Sequence, residues 1–221
     1  MFINLPNQVR LFYEKVGEGP NLIMLHGNGE DHTIFDALIK KLSPYFTIYA
    51  IDTRCHGQSK NVPFNNYETL ANDIDLFIQS LELKKVSILG FSDGAIIATL
   101  LGIEQKNYLN KIISLGVTLN PHDIYDVWKK WIEREYKKTK DPLFKLMMEE
   151  PNISLDDLKL IKVPVLLFAA DNDVMSLKHY RDIEENIPNS KLIIIENADH
   201  LSYIVHNDFI ADDVIRFLNY E

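Results

Sequence analysis

The chain has 221 residues, enough to bury a substantial single core, and its 46% hydrophobic and 25% charged residues are those of an ordinary globular protein. A formal net charge of −9 argues against nucleic acid and anionic membranes as partners, because a phosphate-binding face needs clustered Lys and Arg that outweigh the acids. One cysteine, Cys55, rules out an internal disulfide and suits a reducing cytoplasm, Met1 to Pro6 lacks the basic head and apolar core of a signal peptide, and the longest apolar run, Ala95 to Ile103, is far short of a membrane span.

Phe2 to Leu5 and Gln8 to Val16 read as two short strands joined at Pro6-Asn7. Leu22 to Leu25 is a continuous apolar strand of the doubly covered kind, ending in His26-Gly27-Asn28-Gly29. Asp31 to Leu42 follows as an amphipathic helix, with Ile34, Phe35, Leu38, Ile39 and Leu42 on one stripe. Phe46 to Ile51 is the next buried strand and leads into Asp52-Thr53-Arg54-Cys55-His56-Gly57-Gln58-Ser59. Asn66 to Leu81 is a helix, and after it comes the apolar run from Val86 that ends in Gly90-Phe91-Ser92-Asp93-Gly94. A second apolar run of helical length follows Gly94. Lys111 to Val117 is a further strand, after which the rhythm breaks. From about Asn120 to Leu160 there is no strand signal, but Ile124, Val127, Trp128, Trp131 and Ile132 fall at helical spacing and Leu143 to Met148 suggests a second short helix. Order returns with the strand Val163 to Ala170, a helix capped by Ser176 and running through Ile187, the strand Lys191 to Ile195, and a last helix over Asp208 to Leu218. Alternating apolar strands and amphipathic helices predict a mostly parallel sheet with helices on both faces.

Ser92 stands on a strand-to-helix turn in a GxSxG pattern. Gly90 and Gly94 let the incoming strand and outgoing helix approach so closely that a Cβ on either side of the serine would clash. The hydroxyl then stands at a helix N-terminus, where free N–H groups favour an oxyanion, and it becomes a nucleophile if a base is in reach. The other polar motifs also lie at the carboxyl ends of strands, where open parallel sheets bind ligands.

The order Ser92, then an Asp after a strand, then a His after the last strand resembles the α/β-hydrolase family, and the resemblance runs from Leu22-His26-Gly27 to Phe217-Leu218. It implies one α/β domain over residues 1–221, with a mostly parallel central sheet, helices on both faces and a short helical cap at about 120–160. Ser92 matches the nucleophile, His200 the general base and Asp173 the acid that fixes the histidine tautomer. The glycine usual three residues before that acid is replaced by Ala170, so Asp171 is a rival and Asp199 a third carboxylate nearby. The backbone N–H groups of Asn28 and Asp93 match the oxyanion donors, while His26 holds the loop in shape. Asp52, Arg54, His56, Gly57 and Ser59 resemble the family's DxRGxGxS loop, read as architectural, with Cys55 where glycine is usual. The Asp93 side chain either caps the first helical turn or receives a positive group on the substrate.

In the cap, Trp128, Trp131, Phe144, Met147 and Met148 either form a small core of their own or line a substrate pocket. Trp128 and Trp131, with Phe91 beside the serine, are the candidate substrate contacts, and so short a cap suits small or medium acyl groups. The reading is a cytoplasmic serine hydrolase that cleaves a small-molecule carboxylic ester, or a related acyl bond, through an acyl-enzyme on Ser92. No metal or organic cofactor is expected: there is no HExxH, no GxxxxGK[ST] and no GxGxxG. A carbon–carbon bond hydrolase or a thioesterase would use the same triad. A non-catalytic ligand-binding protein of the same fold is the alternative of a different class, but it would have no need of an aligned Ser, Asp and His.

Overall fold

The short apolar runs become strands of one sheet. β1 (Phe2–Asn4) and β2 (Arg10–Val16) pair antiparallel at one edge. β3 (Asn21–Leu25), β4 (Thr47–Asp52), β5 (Val86–Phe91), β6 (Leu109–Leu115), β7 (Val165–Asn172) and β8 (Ser190–Asp199) run parallel to one another, and the sheet order is β1-β2-β4-β3-β5-β6-β7-β8. This computed structural model describes residues 1–60 and 66–219.

Side chains alternate strictly between two cores, as the two-residue period of a strand requires. Leu22, Met24, Leu89, Phe91 and Phe168 join α1 (Asp36–Leu42) and α8 (Ala211–Asn219) on one face. Ile23, Leu25, Ile88, Val165 and Leu167 join α2 (Tyr67–Ser80) and α3 (Asp93–Ile103) on the other. Both faces are covered, so the strands read as unbroken apolar runs rather than alternating ones.

The insertion folds as α4 (Asp126–Thr139), α5 (Pro142–Glu149) and the single turn α6 (Leu155–Leu158), and α7 (Leu177–Asn186) follows β7, with the Ser176 hydroxyl accepting the His179 N–H at its start. Several boundaries differ from the sequence reading; β2 and β7, for instance, begin at Arg10 and Val165 rather than at Gln8 and Val163. The helix expected over Asp31 to Leu42 opens as a 3-10 turn, His32–Phe35, because the Asp31 carboxylate accepts the Thr33 N–H and tightens the entry. β6 starts two residues earlier than its apolar run. β8 continues four residues past Ile195, since the Asp171 carboxylate accepts the N–H groups of Asn197 and Ala198 and carries polar residues into the pairing. Among the described residues, no helix is long and apolar enough to cross a membrane.

The strand order reverses at β3 and β5, which are neighbours. After β3 the chain turns toward α1 on one face and after β5 toward α3 on the other, so a crevice opens between the two loops. The register Leu25 to Gly90 brings Gly27 alongside Ser92 in that crevice.

Candidate active site

β5 ends at Phe91 and α3 begins at Asp93, so Ser92 alone makes the turn, at φ 51° and ψ −111°. A side chain there costs about 1–2 kcal/mol. The neighbours hold it: a Cβ on Gly90 would run into the Gly94 carbonyl, and one on Gly94 into the Leu25 carbonyl of β3. The Ser92 N–H donates to Leu115 O at 2.8 Å and the Gly94 N–H to His26 O at 3.1 Å. The N–H between them, on Asp93, has no protein acceptor among the described residues, and neither has that of Asn28. These two orphan donors are the ones the sequence singles out for an oxyanion.

Ser92 Oγ–H donates to His200 Nε2 at 3.2 Å, and His200 Nδ1–H donates to Asp173 Oδ1 at 2.6 Å. The carboxylate of Asp173 is buried and also accepts the N–H groups of Val174 (2.7 Å) and Ala170 (3.2 Å). Burial alone would raise its pKa, but the bond from His200, the charge that ring can carry and the Val174 N–H outweigh burial and leave it below the ordinary value. The two rivals are engaged elsewhere: Asp171 in the β8 pairing already described, and Asp199 with the N–H groups of Leu201 and Ser202.

Room for the imidazole comes from Gly116, just past β6, a residue the sequence reading left inside a strand. Its φ is 61°, and a Cβ on it would lie 2.6 Å from His200 Cε1. Gly116→Ala is therefore expected to displace the ring and lower kcat by about 10- to 100-fold, since angstrom-scale misplacement of a reacting group costs on that order. The loss of melting temperature should stay near the roughly 2–4 °C that each kcal/mol of strain costs at this chain size, as a thermal scan would show.

The turn after β3 is built around a neutral histidine. Burial first, then the nearby His56, lowers His26 to about 4. Its Nε2 accepts the Thr53 N–H at 3.0 Å, which leaves the proton on Nδ1 to bond Gly27 O at 2.8 Å. A trans peptide points its C=O and N–H in opposite directions, so holding Gly27 O from behind turns the Asn28 N–H the other way. The Asp93 side chain is neither a plain turn cap nor an open cation receptor: one oxygen accepts from Tyr67 Oη–H at 2.8 Å and the other from Asn28 Nδ2–H at 3.0 Å. Tyr67, a residue the sequence does not single out, thus joins α2 through the Asp93 carboxylate to both residues that carry the oxyanion donors.

The Asp52–Ser59 loop has the architectural part expected of it. Arg54 makes a two-pronged bond to Asp73, at 2.7 Å each, and Ser59 Oγ ties Asp52 O to the Phe12 N–H. Cys55 has φ 67°, which is why glycine suits the position. Asp31, His32 and Asp52 bring ligand-type atoms within 4.8 Å of one another, but Asp52 already accepts the His32 N–H, the His32 ring and the Gln58 N–H, a set of bonds that shapes the loop.

A cavity of about 670 Å³ opens above Ser92 and His200, within the range of small-molecule sites. Trp128 and Trp131 on α4 line it while remaining 44% and 38% exposed, and their rings meet edge to face with centroids 6.4 Å apart. Phe91 also lines it, but is buried beneath the His200 ring at a centroid distance of 5.0 Å. Met147 reaches the cavity too, whereas Phe144 packs behind Trp131. The insertion is therefore both a small core and a wall.

The sequence matches the family described as alpha/beta hydrolase fold over residues 20–136. It is 23% identical to a pimeloyl-[acyl-carrier protein] methyl ester esterase of Aliivibrio fischeri, an alignment covering 95% of this chain and 97% of that one. It is 28% identical to the human serine hydrolase BPHL, over 88% and 78% of the two chains. Among solved structures, an esterase from Exiguobacterium antarcticum superposes with a TM-score of 0.85 at 20% identity, covering 100% of this chain and 99% of that one. The enol-lactonase of Burkholderia xenovorans superposes with a TM-score of 0.83 at 16% identity, each chain covered in full.

Proposed function

The chain belongs to the alpha/beta hydrolase fold family, and we propose that within it the chain is a serine hydrolase cleaving small or medium carboxylic esters through an acyl-enzyme on Ser92. The observation that carries this reading is the continuous line from Asp173 through His200 to Ser92, with contacts of 2.6 and 3.2 Å at the floor of an open cavity. Relatives named as esterases support ester hydrolysis as the bond class.

His200 Nε2 takes the Ser92 proton as Oγ attacks the ester carbonyl, and the negative charge that moves onto the carbonyl oxygen meets the N–H groups of Asn28 and Asp93. The imidazolium returns the proton to the leaving alkoxide, and the C–O bond breaks to leave an acyl-serine. Water then enters, His200 removes its proton, and the second tetrahedral intermediate collapses to the acid and free serine. The cavity volume suits a medium-sized ester rather than a long lipid.

The test is reaction with a fluorophosphonate, followed by peptide mass mapping, beside rates on an ester series of increasing acyl length. One adduct on Ser92 and a rate maximum at short to medium chains are expected. Labelling at another residue, or none with full esterase activity, would remove Ser92 as the nucleophile.

A further inference from the structure

Glu30 takes no part in the mechanism above, yet it grips the residue next to an oxyanion donor from both sides. Its own N–H donates to Gly27 O at 3.3 Å, and its Oε2 accepts the Gly27 N–H at 3.0 Å. A Cβ built on Gly27 would meet Glu30 Oε2 at 2.8 Å and Ser92 Cβ at 3.1 Å, so this carboxyl and the nucleophile's side chain both border the space beside Gly27 that only a glycine leaves open. Glu30 also lines the cavity.

We propose that Glu30 is a positioning residue for the acyl-transfer step: it sets the direction of the Asn28 N–H, and its charge state determines how well that donor stabilises the oxyanion. The inference rests on the serine-hydrolase reading and names a group that regulates the same site. His26 and the Glu30 N–H hold the Gly27–Asn28 carbonyl from one side, and the Glu30 carboxyl anchors the preceding amide, so the peptide carrying the donor has little freedom to rotate.

The carboxyl titrates where it matters. Burial is the main cause that pushes Glu30 up to about 7; the Gly27 N–H and His200 pull it down, while Asp93 and Asp31 push it further up. The charged groups around it are Asp31 on its own turn, Asp93 at the start of α3 and His200 after β8, with Glu150, Asp173 and Asp199 on the same cavity. An anion here attracts the imidazolium and repels the oxyanion. The repulsion decides the sign, because the imidazolium already has the Asp173 carboxylate at 2.6 Å whereas the oxyanion has only two neutral N–H dipoles. Activity is therefore highest with Glu30 protonated, and falls as it ionises.

The experiment has two arms. In Ser92→Ala protein, which keeps the turn but cannot react, the Asn28 amide resonance is followed from pH 5 to 9. In otherwise unaltered enzyme, kcat against pH is compared for wild type, Glu30→Ala and Glu30→Gln. The Asn28 amide should titrate with a midpoint near 7 and lose that step in Glu30→Gln. Glu30→Ala should lower kcat by about 10- to 100-fold, a part of the 10²–10³ seen when an oxyanion donor is removed outright. Glu30→Gln keeps an acceptor for Gly27, so it should recover most of that loss and abolish the fall in kcat above pH 7. An unmoved Asn28 amide, or wild-type and Glu30→Gln profiles that superimpose, would overturn the proposal. Absence of ester hydrolysis in wild type would instead count against the serine-hydrolase reading, with the amide titration still deciding whether Glu30 governs the turn.

Discussion

Ser92→Ala is expected to lower kcat for a short-chain ester by about 10⁴ to 10⁶ while the protein stays folded. The loss is that large because the rest of the machinery has nothing else to activate: His200 would face a methyl group, and the Asn28 and Asp93 donors would stabilise only the slow attack of water. Residual catalysis from binding and from those donors sets the floor. Stability should respond differently. Ser92 is held at φ 51° by the Gly90 and Gly94 contacts rather than by its hydroxyl, so alanine inherits the strained backbone and the melting temperature should change little. Ser92→Gly, which removes the Cβ, should lose activity equally and gain about 1 kcal/mol in urea unfolding. A Ser92→Ala enzyme with wild-type turnover would move the chemistry to another residue, and stabilisation by alanine equal to that by glycine would show that the turn stores no backbone strain.

The sheet and the order of the triad were legible because both are local signals. Val86 to Phe91 is an apolar run ending at glycine, and a polar residue at the carboxyl end of such a run has nowhere to go but the sheet edge. The choice among Asp171, Asp173 and Asp199 was not local. All three stand at or just past the carboxyl end of a strand, and only the folded chain shows that Asp171 ties β8 to β7 and Asp199 turns back on its own loop, leaving Asp173 to His200. Gly116, Tyr67 and Glu30 are harder still. Each has an unremarked place in its element and gains a part only from a residue tens of positions away or from a side chain folding back on the turn. The cap tryptophans show another difficulty: apolar residues at helical spacing suit a small core and a pocket wall equally, and nothing in the spacing tells that one side of the helix overlooks a cavity.

Asp173→Asn is the second large effect, an expected loss of about 10⁴ in kcat at neutral pH. The carboxylate accepts three N–H groups: His200 Nδ1–H and the Val174 N–H on Oδ1, and the Ala170 N–H on Oδ2. An amide has one oxygen to offer. If that oxygen stays with His200 and Val174, its NH₂ group confronts the Ala170 N–H. If the amide turns over, NH₂ donates to His200 Nδ1, drives the proton to Nε2 and leaves no base facing Ser92. Either arrangement also removes the negative charge that supports the imidazolium. Stability carries its own signature. The folded carboxyl lies below its ordinary value of 3.8, so the stability it contributes is fully present above that pH and is lost as the pH falls through the lower, folded value. Wild type should therefore exceed Asp173→Asn in unfolding free energy at pH 7, and the gap should close only in strong acid. Asp171→Asn provides the contrast, because among the described residues the Asp171 carboxylate binds the N–H groups of Asn197 and Ala198 and not His200: it should weaken the β7–β8 pairing and leave kcat within about threefold of wild type, far inside the 10⁴ reserved for the member of the triad. An Asp171 variant as inactive as the Asp173 variant would mean that the acid of this site is not the carboxylate beneath His200.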